Sequence, residues 1–192
     1  MNNIIKRPIF YKRYKPGICY TGIFLFDKIL DEQTIDLLNG LHNTDRVKRS
    51  TKKLASFLNI SIEDTINLYG EEGELYYNLH NDDKQTITDY NNPPGTQPST
   101  TLLWNYNKEE NGIECKQEYE NWPINNYEIE WLQYIIDMIL QPNNYFLNGK
   151  VHCEYCDYNC SIDDNTGLNE NVYITINNNI IHNKTIFTSF KY

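Results

Sequence analysis

The densest group of metal-binding residue types in the chain lies between residues 152 and 160. It comprises His152, Cys153, Cys156 and Cys160. Structural zinc takes four thiolate or imidazole ligands in a tetrahedron, usually as two separated pairs. This stretch has no second pair and no glycine for a tight knuckle, and a strand would turn Cys153 and Cys156 to opposite faces. We therefore predict free thiols and no cofactor, with zinc binding and a reversible disulfide as the alternatives.

A basic run forms the second group with clear chemistry, because its cations could bind phosphates of nucleic acid. It consists of Arg46, Lys48, Arg49, Lys52 and Lys53. Residues 52–66 also show the apolar spacing of a helix-turn-helix. However, Glu63 and Asp64 begin its second helix, where phosphates would repel them. The preferred interpretation is a plain helical hairpin packed on the domain, and nucleic-acid binding through residues 6–15 and 46–53 is the alternative function.

Tyrosine is the residue type that points to a protein partner, because it buries a large area at little entropic cost and keeps a polar tip. The chain has 16 tyrosines, more than a core of this size needs. Four with polar neighbours are candidate partner-binding residues: Tyr90, Tyr119, Tyr155 and Tyr158. The alternative is that AT-rich codon usage inflates tyrosine together with asparagine and isoleucine.

Recognisable catalytic motifs do not occur in the sequence. The patterns GxSxG, GxGxxG, HExxH and the phosphate-binding loop are all missing, and the four histidines are scattered. Acid pairs are abundant in a chain with 26 acidic side chains and are typical of solvated faces. Sites can also assemble from distant residues. An enzyme without a recognisable motif is therefore the second alternative, with no catalytic residue assigned.

Composition and charge restrict the class of protein. The chain has 192 residues, a net charge of −9 and 40% hydrophobic residues, which is typical of a globular protein. No apolar run approaches the roughly 20 residues that span a bilayer, and the N-terminus lacks the apolar segment of a secretory signal. We expect no membrane association and a cytoplasmic location. Residues 1–53 carry 11 basic and five acidic side chains, whereas residues 54–192 carry six and 21.

Hydrophobic periodicity predicts the elements that position these groups. Strand-like patterns cover 19–26, 74–79, 101–107, 113–117, 145–156 and 172–181. Three short helices are expected, the first after the capping residue Asp31, the second around Leu54 and the third after Ser61. The strongest helical pattern runs over 127–140 and is apolar around most of its circumference, as in a helix within the core; Pro142 ends it.

These elements contain no repeating β-α-β unit, so we predict an α+β fold. A mostly antiparallel sheet packs against one long buried helix at about 127–140, with short helices in the N-terminal third. Residues 1–16 form a basic, aromatic arm or an edge strand. Residues 17–192 form a single domain.

The sequence resembles a family of bacterial, phage and viral proteins to which no activity or catalytic residue is attached. The matching segments are 38–41, 44–49, 54–55, 70–74, 89–94, 97–98, Trp104, 130–135, Pro142, 145–151 and 179–180. They follow the same order over roughly residues 35–181. The chain departs from the family at its cysteine cluster, where the relatives are acidic and contain glycine. The resemblance implies one continuous domain and carries over no function.

The predicted function is therefore that of a small, acidic, non-enzymatic protein-binding factor. AT-rich codon usage fits a viral or mobile-element accessory factor, acting in the host cytoplasm against a defence system or on another host protein. The expected partner is another protein, with nucleic acid as the alternative.

Overall fold

An antiparallel sheet of six strands dominates the computed structural model, which describes residues 17–79, 82–115, 127–156 and 168–189. The eight strands of the structure are β1 (Gly17–Phe26), β2 (Lys48–Arg49), β3 (Ile87–Asp89), β4 (Trp104–Asn107), β5 (Gly112–Cys115), β6 (Leu147–Cys156), β7 (Leu168–Asn177) and β8 (Ile180–Ser189). The large sheet has the order β4-β5-β1-β6-β7-β8, and β2 pairs with β3 separately. The predicted α+β class with a mostly antiparallel sheet is confirmed.

Strand β1 shows how the large sheet acquires one buried and one open face. Phe24 and Phe26 are buried, whereas Leu25 between them is exposed, because successive side chains of a strand point to opposite faces. We call the face of Phe24 the inner face and that of Leu25 the outer face. On β6, the neighbour of β1, Val151 is buried and Lys150 is exposed in the same way.

Two glycines let β1 and β6 approach closely at the centre of the sheet. Gly22 and Gly149 have φ values of 120° and 141°, which side chains rarely adopt. A Cβ atom at Gly22 would lie 2.7 Å from the carbonyl oxygen of Lys150, and one at Gly149 would lie 2.8 Å from that of Ile23. Any larger residue at either position would therefore push the strands apart.

The three predicted short helices are present as α1 (Glu32–His42), α2 (Thr51–Leu58) and α3 (Ile62–Tyr69). A capping side chain begins each one, and these are Asp31, Ser50 and Ser61. Asn59 ends α2 in the left-handed conformation. Helices α2 and α3 thus form the predicted helical hairpin.

The prediction of one long helix over 127–140 is not supported. Helix α4 spans only Glu128–Ile135, and a π-helical turn (Ile136–Leu140) and a 3₁₀ turn (Gln141–Asn143) follow it. Pro142 lacks an amide hydrogen and its ring crowds the preceding turn, which explains why regular α-geometry stops early. Met138, predicted within the apolar circumference, is exposed. Among the described residues, no helix has both the length and the apolar character to cross a membrane.

Residues 74–79 do not form the predicted strand. Their backbone carbonyls accept hydrogen bonds from side chains, as Gln97 Nε2 donates to Glu74 and Arg46 Nη1 donates to Tyr76. Carbonyls used in this way do not pair with a neighbouring strand. Tyr76 is the buried side chain of this irregular segment.

The predicted strand over 172–181 is a hairpin instead. Strand β7 ends at Asn177 and β8 begins at Ile180, and Asn178 and Asn179 have φ values of 48° and 65° between them. Asparagine tolerates this left-handed conformation, which two-residue hairpin turns require. Codon bias alone does not explain this asparagine run, because its members make the turn.

Buried side chains divide into two interiors of different chemistry. The sheet core lies between the inner face and helices α1 and α4, and it is apolar, with Phe24, Trp104 and Ile135 among its members. The hairpin unit, residues 44–100, contains α2, α3, β2 and β3. Its buried polar and charged residues are Arg46, Arg49, Thr65, Asp83, Thr86 and Gln97.

Candidate binding surfaces

The two arginines predicted to bind phosphate lie in the interior of the hairpin unit. Only 1% of Arg46 and 5% of Arg49 is exposed. Arg46 donates from Nε to the Thr44 carbonyl and from Nη1 to the Tyr76 carbonyl, both at 2.9 Å. Burial, followed by the nearby charge of Arg49, lowers the pKa of Arg46 to about 10. Arg46 therefore holds loops together and does not face a ligand.

Arg49 forms a buried ion pair. Its Nη1 lies 2.6 Å from Asp83 Oδ2 and donates to Thr86 Oγ1 at 2.7 Å. Its guanidinium carbon lies 4.9 Å from the centroid of the Tyr76 ring. Burial, followed by the charge of Asp83, raises the pKa of Tyr76 to about 12. This arrangement neutralises Arg49 within the fold.

The three lysines of the basic run lie at or near the surface. Lys48 is half-buried and pairs with Glu72 at 3.1 Å. Lys52 and Lys53 are exposed on α2. The five predicted cations therefore do not form one exposed clamp, and only the two lysines of α2 present free charge from this run. The other basic segment of the nucleic-acid hypothesis, residues 6–15, lies outside the described residues.

The structure describes one side chain of the predicted zinc alternative, that of His152. His152 is on β6, and its ring stacks on Tyr173 of β7 at 4.7 Å between centroids. Cys153 and Cys156 are also on β6, but their side chains lie outside the description, as does all of Cys160. Within the described residues, no group of three or more His, Cys, Asp or Glu side chains could hold a metal ion. That the cysteines of this group are free thiols therefore stays a prediction.

Of the four candidate tyrosines, the structure places one side chain. Tyr90 is 62% exposed in the loop after β3. That loop lies next to the segment that follows α3, since Glu72 accepts a hydrogen bond from the backbone of Gly95 at 2.8 Å. Tyr155 is on β6 without a described side chain, and Tyr119 and Tyr158 lie outside the described residues.

Helix α3 presents an apolar surface that the sequence analysis did not identify. Its three large aliphatic side chains, those of Ile62, Ile66 and Leu68, are 40–56% exposed. Only Thr65 is buried, against the rest of the hairpin unit. The four-residue spacing of Ile62 and Ile66 was visible in the sequence, but such spacing normally marks a buried stripe. Only the docked position of α3 shows that these side chains are open.

Carboxylates surround this apolar surface. Glu63 and Asp64 are exposed in the first turn of α3, where negative charge stabilises the helix N-terminus. Asp64 also accepts from the Ser61 hydroxyl at 2.6 Å. The exposed Glu71 follows the end of the helix. We call the exposed side chains of residues 62–68 the α3 surface; it combines aliphatic groups with negative charge.

No family model matches the chain, and no curated protein or solved structure matches it. The resemblance described above for residues 35–181 therefore stays a prediction.

Proposed function

We propose that this chain is a non-enzymatic protein-binding factor that contacts its partner through the α3 surface. The observation that carries the proposal is the exposure of Ile62 and Ile66, which lie one turn apart on the same side of α3. The exposed Leu68 lies on the other side of the buried Thr65. When a partner removes such side chains from water, the free energy of binding becomes more favourable by about 25 cal/mol per Å² of apolar area buried. AT-rich codon usage fits an accessory factor of a virus or mobile element, with a host protein as the partner.

The charges around α3 indicate the chemistry of that partner. Glu63, Asp64 and Glu71 belong to the acidic part of the chain, residues 54–192, which carries six basic and 21 acidic side chains. A complementary partner offers an apolar groove with lysine or arginine at its rim. Charge pairs at such a rim accelerate association more than they strengthen binding. Tyr90, in the loop next to Glu72, is a secondary contact residue in this proposal.

The test combines affinity purification with a surface variant. The tagged protein and its Ile62→Gln/Ile66→Gln variant are used to capture partners from host lysate, with and without nuclease. Glutamine retains helix propensity while it removes the apolar contact. A partner that wild type captures at near-equal stoichiometry, with or without nuclease, should be lost with the variant. For the purified pair, we expect Kd to rise about thirtyfold, because half-burying two isoleucines contributes about 2 kcal/mol.

A matched control uses an exposed apolar residue outside the α3 surface. Met138→Gln removes a side chain of similar size and exposure from the π-helical turn, and capture should be unchanged. Equal losses with Met138→Gln and with the α3 variant would contradict the proposal. So would a partner that binds the α3 variant as tightly as wild type.

Nucleic-acid binding remains the second candidate because Lys52 and Lys53 are exposed on α2. Co-purifying nucleic acid, or a partner that nuclease removes, would favour this candidate. The variant Lys52→Gln/Lys53→Gln should then reduce both the affinity and its salt dependence.

A further inference from the structure

The outer face of the sheet carries an ordered array of side chains across four strands. One row of directly paired residues runs Ile23, Lys150, Thr175 and His182 from β1 to β8. The adjacent row runs Thr21, His152, Tyr173 and Lys184. Helices α1 and α4 pack on the inner face. On the outer face, Lys150 and His182 are exposed, and Ile23, Thr175, His152 and Tyr173 are half-buried.

Tyr173 positions a positive charge on this face. The Lys150 ammonium lies 3.9 Å from the centroid of the Tyr173 ring, and His152 stacks on the same ring. A cation over an aromatic face is stabilised without losing its charge. No described carboxylate forms an ion pair with Lys150, so its charge is available to a ligand.

The described outward side chains of β1, β6 and β7 that are nearest to Lys150 carry no carboxylate. No Asp or Glu occurs among the described outward side chains of four strand segments. These segments are 21–25 of β1, 148–152 of β6, 173–177 of β7 and 180–182 of β8. On β5, Glu114 follows Ile113, the partner of Phe24, and so lies beside Ile23 in the row of Lys150. On β6, Glu154 is two outward positions along the strand from Lys150. In a chain with a net charge of −9, this area is a local exception.

The other half of the outer face is apolar. Leu25, Phe146 and Ile180 are 42–61% exposed, and Leu25 is paired with Asn148 next to the Lys150 row. Asn148 is occupied in fixing the hairpin turn, since its Oδ1 accepts from the Asn178 amide at 2.8 Å. Aliphatic and aromatic side chains thus adjoin a basic, aromatic area on one open surface.

We infer that the outer face is a second docking surface, and that its occupant is an acidic segment of a partner protein with large apolar side chains. The carboxylates of such a segment match Lys150, and its apolar side chains match Leu25, Phe146 and Ile180. Nucleic acid fits less well. Its affinity depends on several cations that neutralise phosphates, whereas the register of β1, β6, β7 and β8 places two lysines here, Lys150 and Lys184, the partner of Tyr173. The exposed aliphatic groups would also find no counterpart on a phosphate backbone.

This surface is independent of the α3 surface, because the two have opposite charge and lie on different elements. The chain would therefore hold two different protein segments at once, a basic one on α3 and an acidic one on the sheet. This inference goes beyond the proposed function and does not depend on it.

The experiment measures binding of labelled peptides to the full chain by fluorescence anisotropy. The probes are a peptide of Asp, Leu and Phe, a peptide of Asp and Ser, a peptide of Lys, Leu and Phe, and a single-stranded oligodeoxynucleotide. The acidic apolar peptide should bind with an affinity that falls as salt concentration rises, whereas the Asp and Ser peptide and the oligodeoxynucleotide should not bind. Any binding of the Lys, Leu and Phe peptide should be lost with the Ile62→Gln/Ile66→Gln variant, which places it on the α3 surface. Amide chemical shifts on β6 and β7 should move on binding.

Two variants with matched controls locate the site. Lys150→Glu should weaken binding of the acidic apolar peptide at least fivefold, since it replaces an attraction by a repulsion. Lys52→Glu makes the same change of charge on α2 and should leave the affinity unchanged. Ile180→Ser should weaken binding as well, whereas Met138→Ser should not. The Ile62→Gln/Ile66→Gln variant should bind the peptide as wild type does, which separates this test from that of the proposed function.

Four results would each overturn the inference. They are no binding of the acidic apolar peptide, tighter binding of the oligodeoxynucleotide, equal losses with Lys52→Glu and Lys150→Glu, and concentration-dependent self-association of wild type that Lys150→Glu abolishes. The last result would mean that a second copy of the chain covers the face.

Discussion

The interiors of the sheet core and the hairpin unit are stabilised by different interactions. In the sheet core, Trp104, Trp131 and Ile135 are buried by close packing, and the two indole N–H groups bond to the Glu128 carbonyl and the Ser99 hydroxyl at 2.8 Å. In the hairpin unit, buried guanidinium groups bond to loop carbonyls and to Asp83. Regular strands satisfy their own backbone groups, whereas irregular loops need side-chain donors.

This difference explains why a basic run can be structural. A buried cation without partners is costly, but one that satisfies several carbonyls and a carboxylate links segments distant in sequence. Arg46, at the start of the hairpin unit, donates a hydrogen bond to the Tyr76 carbonyl. Arg49, which lies just before α2, forms an ion pair with Asp83. Clusters of Lys and Arg in a sequence therefore do not by themselves indicate a phosphate site.

The largest expected effect tests the polar interior directly. Asp83→Ala leaves Arg49 buried without its carboxylate and should lower the free energy of unfolding by about 3–5 kcal/mol. The double variant Arg49→Met/Asp83→Leu replaces both charges by apolar groups and should recover most of that loss. Denaturant titration of the three proteins measures both effects. If the double variant is as unstable as Asp83→Ala, the hairpin unit needs the hydrogen bonds of the guanidinium rather than charge balance.

Truncation of a buried side chain tests how much the sheet core contributes to the free energy of unfolding. Ile135 is fully buried, so Ile135→Ala should lower the free energy of unfolding by about 2–5 kcal/mol through lost burial and the resulting cavity. The matched control is Ile66→Ala on the α3 surface, which should change stability by less than about 0.5 kcal/mol. Similar losses for the two variants would mean that α3 is packed more closely than its exposure indicates.

The smallest effect concerns a polar group at the rim of the sheet core. Asp31 caps α1, accepts from the Thr34 amide at 2.7 Å and accepts from the Tyr145 hydroxyl at 2.8 Å. The Thr34 amide, followed by Tyr145, lowers the pKa of Asp31. Asp31→Ala should therefore cost about 0.5–2 kcal/mol at neutral pH.

The sign of the pH dependence follows from that lowered pKa. The contribution of Asp31 is fully present above the ordinary carboxylate pKa of about 4, and it is lost as pH falls through the lower native value. The difference in Tm between wild type and Asp31→Ala should thus shrink below pH 4. A difference that stays constant under acid would mean that the carboxylate charge does not contribute to the cap.

Local patterns in the sequence predicted the elements whose ends are determined by nearby residues. Asp31 and Ser61 marked the helix starts correctly because a cap bonds to an amide three residues away. The β-branched and aromatic residues of 19–26, preceded by Pro16 and Gly17, identified β1 for a similar reason, since strand propensity is local. The strand predicted over 74–79 was wrong because Arg46 and Gln97, which bond to its carbonyls, are distant in sequence.

The candidate surfaces were less predictable than the elements. Exposure of Ile62 and Ile66 depends on how α3 docks through Thr65, and the spacing of two isoleucines is the same for a buried stripe. The array around Lys150 needs the register of four strands, which places Ile23 and His182 in one row although they are far apart in the chain. Of the predicted partner-binding side chains, Tyr90 is the one the structure describes, and it is exposed.

The sequence by itself determined the α+β class, the mostly antiparallel sheet and the short helices with their caps. Those features follow from interactions within a few residues and from the two-residue period of strands. Only the tertiary structure decided that Arg46 and Arg49 are internal, that Ile62 and Ile66 of α3 are exposed, and that Lys150 forms no ion pair with a described carboxylate. Burial and charge pairing depend on which distant segments meet, and no local pattern encodes that.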